Sequence, residues 1–123
     1  TQAARAIALS DARAESPQES RTRVKLILRG FPPPVPQYRV WLNGRFPVRL
    51  DLAWPGKKVA VEYDGVWHAD AQQLAYDRER LTGLVDAGWR VYHLTSRHLR
   101  DPELFEAFCF KLRRALRQER QVG

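Results

Sequence analysis

Asp51, Glu62 and Asp64 lie in two short segments, RLDLAW and VAVEYD, in which apolar residues alternate with polar ones. A period of two marks a half-buried β-strand. Phe46, Val48, Leu50 and Leu52 would share one face of the first strand, with Arg49 and Asp51 on the other. In the second, Val59, Val61 and Tyr63 oppose Glu62 and Asp64. Trp54-Pro55-Gly56-Lys57-Lys58 between them is a turn by composition, since Pro and Gly supply its special backbone angles. If Trp54 faces Val59, the antiparallel count sets Ala53 opposite Ala60 and Asp51 beside Glu62, with Asp64 one diagonal away. Opposed Cβ atoms in such a ladder stand about 4.5–5.5 Å apart, where like charges repel. Three crowded acids are explained if a hard divalent cation such as Mg2+ sits among their oxygens. The alternative is a solvated face on which each acid pairs with Arg or Lys.

The chain that must position these acids has 123 residues, enough for one domain with a single core. Its 44% hydrophobic and 28% charged content is that of an ordinary globular chain. No apolar run approaches the ~20 residues of a membrane span and no signal-peptide pattern opens the chain, so a cytoplasmic protein with no membrane partner is expected. The single cysteine, Cys109, excludes an internal disulfide and a multi-cysteine zinc site, and its setting in FCFKL predicts a buried core thiol. With 21 Lys and Arg against 14 Asp and Glu, the net charge of +7 favours polyanionic partners. Acids clustered within a basic chain suit metal-dependent phosphodiester chemistry: the acids hold the ion and the surrounding positive field holds the backbone. There is no methionine. The expectation is a chain cut from a longer protein, or processed, with residues 1–14, rich in Ala and Arg, as a linker from a missing upstream region and 15–123 as the domain.

Ser16-Pro17-Gln18-Glu19 announces a helix, with Ser16 as N-cap, Pro17 at the first position and Glu19 three after the cap. The helix should end at Gly30, with Ser20, Val24, Ile27, Leu28 and Phe31 as its packing stripe. Glu19 has two roles in prospect, needing different rotamers: capping acid, or a group leaning toward the hairpin acids to orient a metal-bound water. Phe31-Pro32-Pro33-Pro34-Val35-Pro36 is an extended connector, or an SH3-type ligand. Gln37–Leu42 reads as a first strand, Asn43-Gly44 as a hairpin turn, and the three strands as a meander. Asp70–Ala87 reads as a helix with Leu74, Leu81, Leu84 and Val85 inward and Gly88 just beyond its end. Asp77 shares that apolar stripe, which predicts a structural ion pair with Arg80 or with a base from the sheet. Trp89–Leu94 makes a fourth strand, and Asp101 with Pro102 opens a last helix that buries Leu104, Phe105, Phe108, Leu112 and Leu116. Lys111, Arg113, Arg114, Arg117 and Arg120 form its solvated face, or touch phosphates.

The segments ESPQES from Glu15, DLAWP from Asp51 and VAVEYDG from Val59, together with His68, Asp77 and Arg80, resemble the PD-(D/E)XK restriction-endonuclease-like superfamily. Within it the likeness is to very-short-patch-repair-endonuclease-like bacterial domains of unknown function. The resemblance implies an α/β fold: an αβββαβ core, a mixed four-stranded sheet flanked by helices, and a C-terminal helix. It implies a DNA endonuclease that hydrolyses phosphodiesters with Mg2+ or Mn2+, with Asp51 and Glu62 as metal-binding acids and Glu19 as the helix acid that supports them. The motif lysine is absent: Asp64 occupies its place in the catalytic set. His68 becomes the candidate general base, or the proton donor to the leaving oxygen, unless it is merely exposed. Arg49, Lys57 and Lys58 would contact the DNA backbone, and Trp67 would stack on a base or pack in the core.

Two other functions stay open. One is a nuclease-fold module that binds DNA without cutting, for which the missing lysine argues. The other is a regulatory component of a toxin–antitoxin-like or DNA-repair system, which the usual neighbours of such domains suggest. A homodimer and an upstream winged-helix domain in the full-length protein are compatible with the same resemblance.

Overall fold

The computed structural model describes residues 15–42, 46–65 and 71–118. The expectations for residues 1–14, Asn43-Gly44, Trp67, His68 and Arg120 lie outside them. In chain order the elements are α1 (Pro17–Leu28), β1 (Val35–Leu42), β2 (Phe46–Trp54), β3 (Val59–Asp64), α2 (Ala71–Asp86), β4 (Arg90–Thr95), the short α3 (Ser96–Arg100) and α4 (Pro102–Arg117). The sheet runs β1-β2-β3-β4. Its first two pairings are antiparallel and the third is parallel, giving the expected mixed four-stranded α/β sheet. A parallel neighbour cannot be reached by a tight turn, so α2 is the crossover between β3 and β4. Among the described residues no helix is long and apolar enough to cross a membrane.

Local sequence accounts for most element ends. The Ser16 hydroxyl accepts from the Glu19 N–H at 3.1 Å while the Ser16 N–H donates to Glu19 Oε1 at 2.9 Å, a reciprocal cap. Gly30, at φ +89°, closes α1: its N–H reaches Ile27 O and the Phe31 N–H reaches Leu26 O. Gly88, also at φ +89°, closes α2 in the same way, with the Trp89 N–H on Leu84 O. Asp101 Oδ1 accepts from the Glu103 N–H at the start of α4.

The buried stripe of α1 departs from expectation. Thr22, Arg23, Leu26 and Ile27 are buried, whereas Leu28 is 70% exposed. Arg23, with no exposed surface, takes a core position by pairing with the nearly buried Glu15 at 2.7 Å. Hydrophobic spacing alone cannot register an arginine that carries its counter-ion inward. On α2, Leu84 is buried but Val85, expected inward, is 67% exposed.

Two apolar clusters flank the sheet. One gathers Leu26 of α1, Leu52, Val59 and Val61 of the sheet, and Phe105, Phe108, Cys109 and Leu112 of α4. Cys109 is thus the core thiol expected, and burial pushes it up from its ordinary pKa despite the nearby Arg29. The other gathers Leu42, Val48, Leu50, Ala53 and Ala60 with Leu84 and Trp89. There α2 approaches β1 closely, since a Cβ on Gly83 would stand 2.8 Å from Leu42 Cδ1.

Candidate active site

Leu50 and Leu52 are two residues apart on β2, yet Leu50 belongs to the cluster that contains α2's Leu84 and Leu52 to the one that contains α1's Leu26. Strand alternation would put both on one face. The break falls at Asp51. Across the hairpin, Pro36 pairs with Leu52 and Tyr38 with Leu50, so the residue facing Asp51 is Gln37. Gln37 is left-handed at φ 54°, a conformation that costs a non-glycine residue on the order of 1 kcal/mol. The kinked pair Gln37–Asp51 marks the seam where the sheet passes from one cluster to the other.

The β2–β3 register is the one inferred from the turn: Trp54 pairs with Val59, Ala53 with Ala60 and Leu52 with Val61. Asp51 and Glu62 come next in line, but the backbone ladder stops short of them. Instead Asp51 Oδ2 accepts from the Tyr63 N–H at 2.9 Å, closing the strand end with a side chain. Asp51 also shares a hydrogen bond with Glu19. Burial pushes the Asp51 carboxyl up to about 7, reinforced by the Glu19 and Glu62 charges and only partly opposed by the Tyr63 N–H. Burial by itself would raise Glu19 too, but hydrogen bonds from the Ser16 N–H, Asp51, the Ser16 hydroxyl and Gln37 outweigh it and hold Glu19 below the usual carboxylate range. Burial thus favours the protonated form of Asp51, while the hydrogen bonds to Glu19 favour its ionised form.

Glu19 fills both of its expected places in one conformation. Oε1 accepts from the Ser16 N–H, Oε2 accepts from Gln37 Nε2 at 3.0 Å, and the carboxyl still meets Asp51. A carboxylate has two oxygens and several lone pairs, so capping Ser16 and meeting Asp51 need no change of rotamer.

Glu62 stands differently. Arg80 Nη1 and Nη2 donate to its two oxygens at 2.7 Å each, and Nη2 also donates to Arg49 O at 2.8 Å. This corrects the expected Asp77–Arg80 pairing: both terminal nitrogens of Arg80 serve Glu62, because the planar fork matches its carboxylate and fastens α2 to β3 and β2 at once. Glu62 is 8% exposed, so an uncompensated charge there would be costly. Asp64, also expected in the acid cluster, is exposed and faces His93 Nδ1 at 3.2 Å, on the strand where His93 pairs in register with Glu62. Among the described residues no group of three His, Cys, Asp or Glu is set to hold a metal ion. The three-acid crowd resolves into a Glu19–Asp51 pair, an Arg80-held Glu62 and an Asp64–His93 pair.

The donor set of Glu19, Asp51 and Gln37 nonetheless suits a hard cation. Among the described residues Gln37 Oε1 is buried with no hydrogen-bond partner, in the side chain whose Nε2 already touches Glu19. Two carboxylates and an orphaned amide oxygen are all-oxygen donors, and Mg2+ commonly takes one or two carboxylates and completes its shell with water and phosphate. A divalent cation between the two carboxyls would offset their like charges.

Of the expected backbone contacts, Arg49 and Lys57 are exposed, whereas Lys58 donates to Ala87 O at 2.8 Å and so ties the turn to the end of α2. Sequence reasoning missed Gln37, the Glu62–Arg80 clamp and His93. Gln37 gave no signal beyond its place after a proline run, and the other two depend on pairings that exist only once α2 and β4 are placed.

No protein-family model matches the chain, and no solved structure matches it. Two curated proteins of Mycobacterium tuberculosis do: Uncharacterized protein MT2308 of strain CDC 1551 / Oshkosh and Uncharacterized protein Rv2248 of strain ATCC 25618 / H37Rv. Each is 37% identical over 83 residues, which is 67% of this chain and 31% of the relative. The chain thus spans about a third of their length.

Proposed function

We propose that this domain is a divalent-metal-dependent DNA endonuclease built on a restriction-endonuclease-like core. The observation that carries the reading is the carboxyl pair Glu19–Asp51, set where the pairing of β2 with β3 ends, beside an amide oxygen with no partner among the described residues. Glu19, Asp51 and Gln37 Oε1 would hold the cation, which when bound supplies Lewis acidity to a phosphate oxygen and acidifies a water. Arg80 fixes Glu62 beside them as an oriented negative charge. Asp64, in the place of the motif lysine, orients His93 through Nδ1, leaving Nε2 for proton exchange with the attacking or leaving oxygen. The basic chain draws the phosphodiester in.

A second reading, a nuclease fold that binds DNA without cutting it, is favoured by the same clamp, since both Glu62 oxygens are occupied by Arg80. Supercoiled plasmid incubated with the protein in Mg2+ or Mn2+ separates the two. Nicking that is lost in Asp51→Asn and Glu19→Gln supports the enzyme; retained binding with no nicking in either metal leaves the binding module.

A further inference from the structure

In the β1–β2 hairpin Arg39 stands directly across from Arg49, and Trp41, two residues on, across from Pro47. All four are exposed, Trp41 at 63%. The intervening Tyr38, Val40, Leu42, Val48 and Leu50 pack into the cluster with α2, so the arginines and the indole form the hairpin's outward face. Among the described residues neither guanidinium meets a carboxylate. Directly opposed like charges destabilise an antiparallel pair, and a large exposed indole gains nothing from water. An anion between the two guanidiniums removes the first cost, and a flat partner on the indole removes the second. Trp41 lies one pleat repeat from Arg39, about 6.8 Å along the strand. A phosphate followed by an unpaired base offers both groups at adjoining positions, whereas a base inside a duplex hides its face. The face also adjoins the carboxylate pair: Arg39 is two residues along β1 from Gln37 and Arg49 two along β2 from Asp51, and Arg49 O is held by the same Arg80 that holds Glu62.

We infer that Arg39, Arg49 and Trp41 form the seat of an unpaired nucleic-acid strand, with a phosphate bridging the two guanidiniums and a base stacked on Trp41. The inference rests on the nucleic-acid reading above and adds to it how a strand is laid beside the carboxylates.

The test is fluorescence anisotropy of a labelled oligothymidylate of about 15 nucleotides, titrated with the whole chain in EDTA at several salt concentrations. Replacing both arginines by Gln should weaken binding at least about tenfold and make the slope of log K against log salt shallower by about 0.7, the value for one phosphate contact on a single strand. Trp41→Ala should weaken binding about tenfold and leave the slope unchanged. Thermal melting of the double-Gln variant should hold or rise by about 1–4 °C, because the repulsion is gone, and this separates lost binding from lost folding. Unchanged affinity and slope in the double-Gln variant overturn the inference. So does competition by polyglutamate as effective as by oligothymidylate, combined with no effect of Trp41→Ala. If the protein nicks plasmid while these variants bind and cut as the parent does, the inference falls and the nuclease reading stands. If it never nicks but binding still depends on the three residues, the inference stands and the cleavage reading falls.

Discussion

Asp51→Asn should make the protein more stable at pH 8 while abolishing any metal-dependent cleavage. Asn keeps the shape, accepts from the Tyr63 N–H through its oxygen and donates to Glu19 through its nitrogen, reproducing the protonated acid. Asp51 moves from 3.8 unfolded to about 7 folded. Between roughly pH 4 and 7 the folded state binds this proton more tightly, so its contribution is present at low pH and is lost as pH rises through that window. Three units at about 1.4 kcal/mol each bound the loss at about 4 kcal/mol. Glu19, held low within the same pair, works in the opposite direction, and Asp51 retains some contact with water, so about 2–3 kcal/mol is expected. For a chain of this size that is roughly 8–12 °C in Tm. Melts followed by circular dichroism from pH 4 to 8 should show Asp51→Asn above the parent at pH 8 and level with it near pH 4. Mg2+ at millimolar concentration should raise the Tm of the parent at pH 8 and leave that of Asp51→Asn in place, because stabilisation by a ligand requires its site. A variant less stable than the parent at pH 8, or with the same pH slope, would refute a carboxyl pair strained by shared burial.

Removing Arg80 should be the most damaging single change near the site. Arg80→Met leaves Glu62 buried without its counter-ion, at a cost of about 3 kcal/mol in urea melts, and Arg80→Lys should recover only part of it because one ammonium cannot span both oxygens and Arg49 O. The buried Arg23–Glu15 pair should behave as a unit: Arg23→Met alone costs about 3 kcal/mol, and adding Glu15→Gln should return more than 1 kcal/mol of it, a coupling read from a double-mutant cycle.

Secondary structure and the meander of β1, β2 and β3 were legible because they follow from short-range rules, whereas the mixed four-stranded sheet was an implication of the resemblance. Ser16-Pro17-Gln18-Glu19 gave the start of α1, Gly30 and Gly88 the ends of two helices, and Trp54–Lys58 the register that puts Asp51 beside Glu62. The partners of the acids were not legible, because each comes from an element distant in sequence. Arg80 lies one turn from Asp77 and is the natural local partner, yet the bidentate site on Glu62 across the interface is better matched to its fork. Asp64 is placed to crowd Glu62 by strand alternation, but parallel pairing with β4 brings His93 to it first. Periodicity likewise assigned Leu28 to the core and missed Arg23, since it weighs side chains one at a time and not as neutralised pairs.

The kink at Gln37 and Asp51 ties these departures together. A regular β1–β2 ladder would keep Leu50 and Leu52 on one face and give Asp51 a plain cross-strand neighbour. The left-handed Gln37 breaks that pattern, turns the outer half of the hairpin toward α2, and leaves Asp51 at the seam, where Glu19 comes from α1 and the Tyr63 N–H from β3. Strain at one residue, a raised carboxyl beside it and an orphaned amide oxygen in its own side chain are three separate costs gathered at one point. Local strain that persists in a folded protein clusters at functional positions, and a divalent cation there would relieve two of the three at once, by stabilising the ionised Asp51 carboxyl and by giving the Gln37 oxygen a partner.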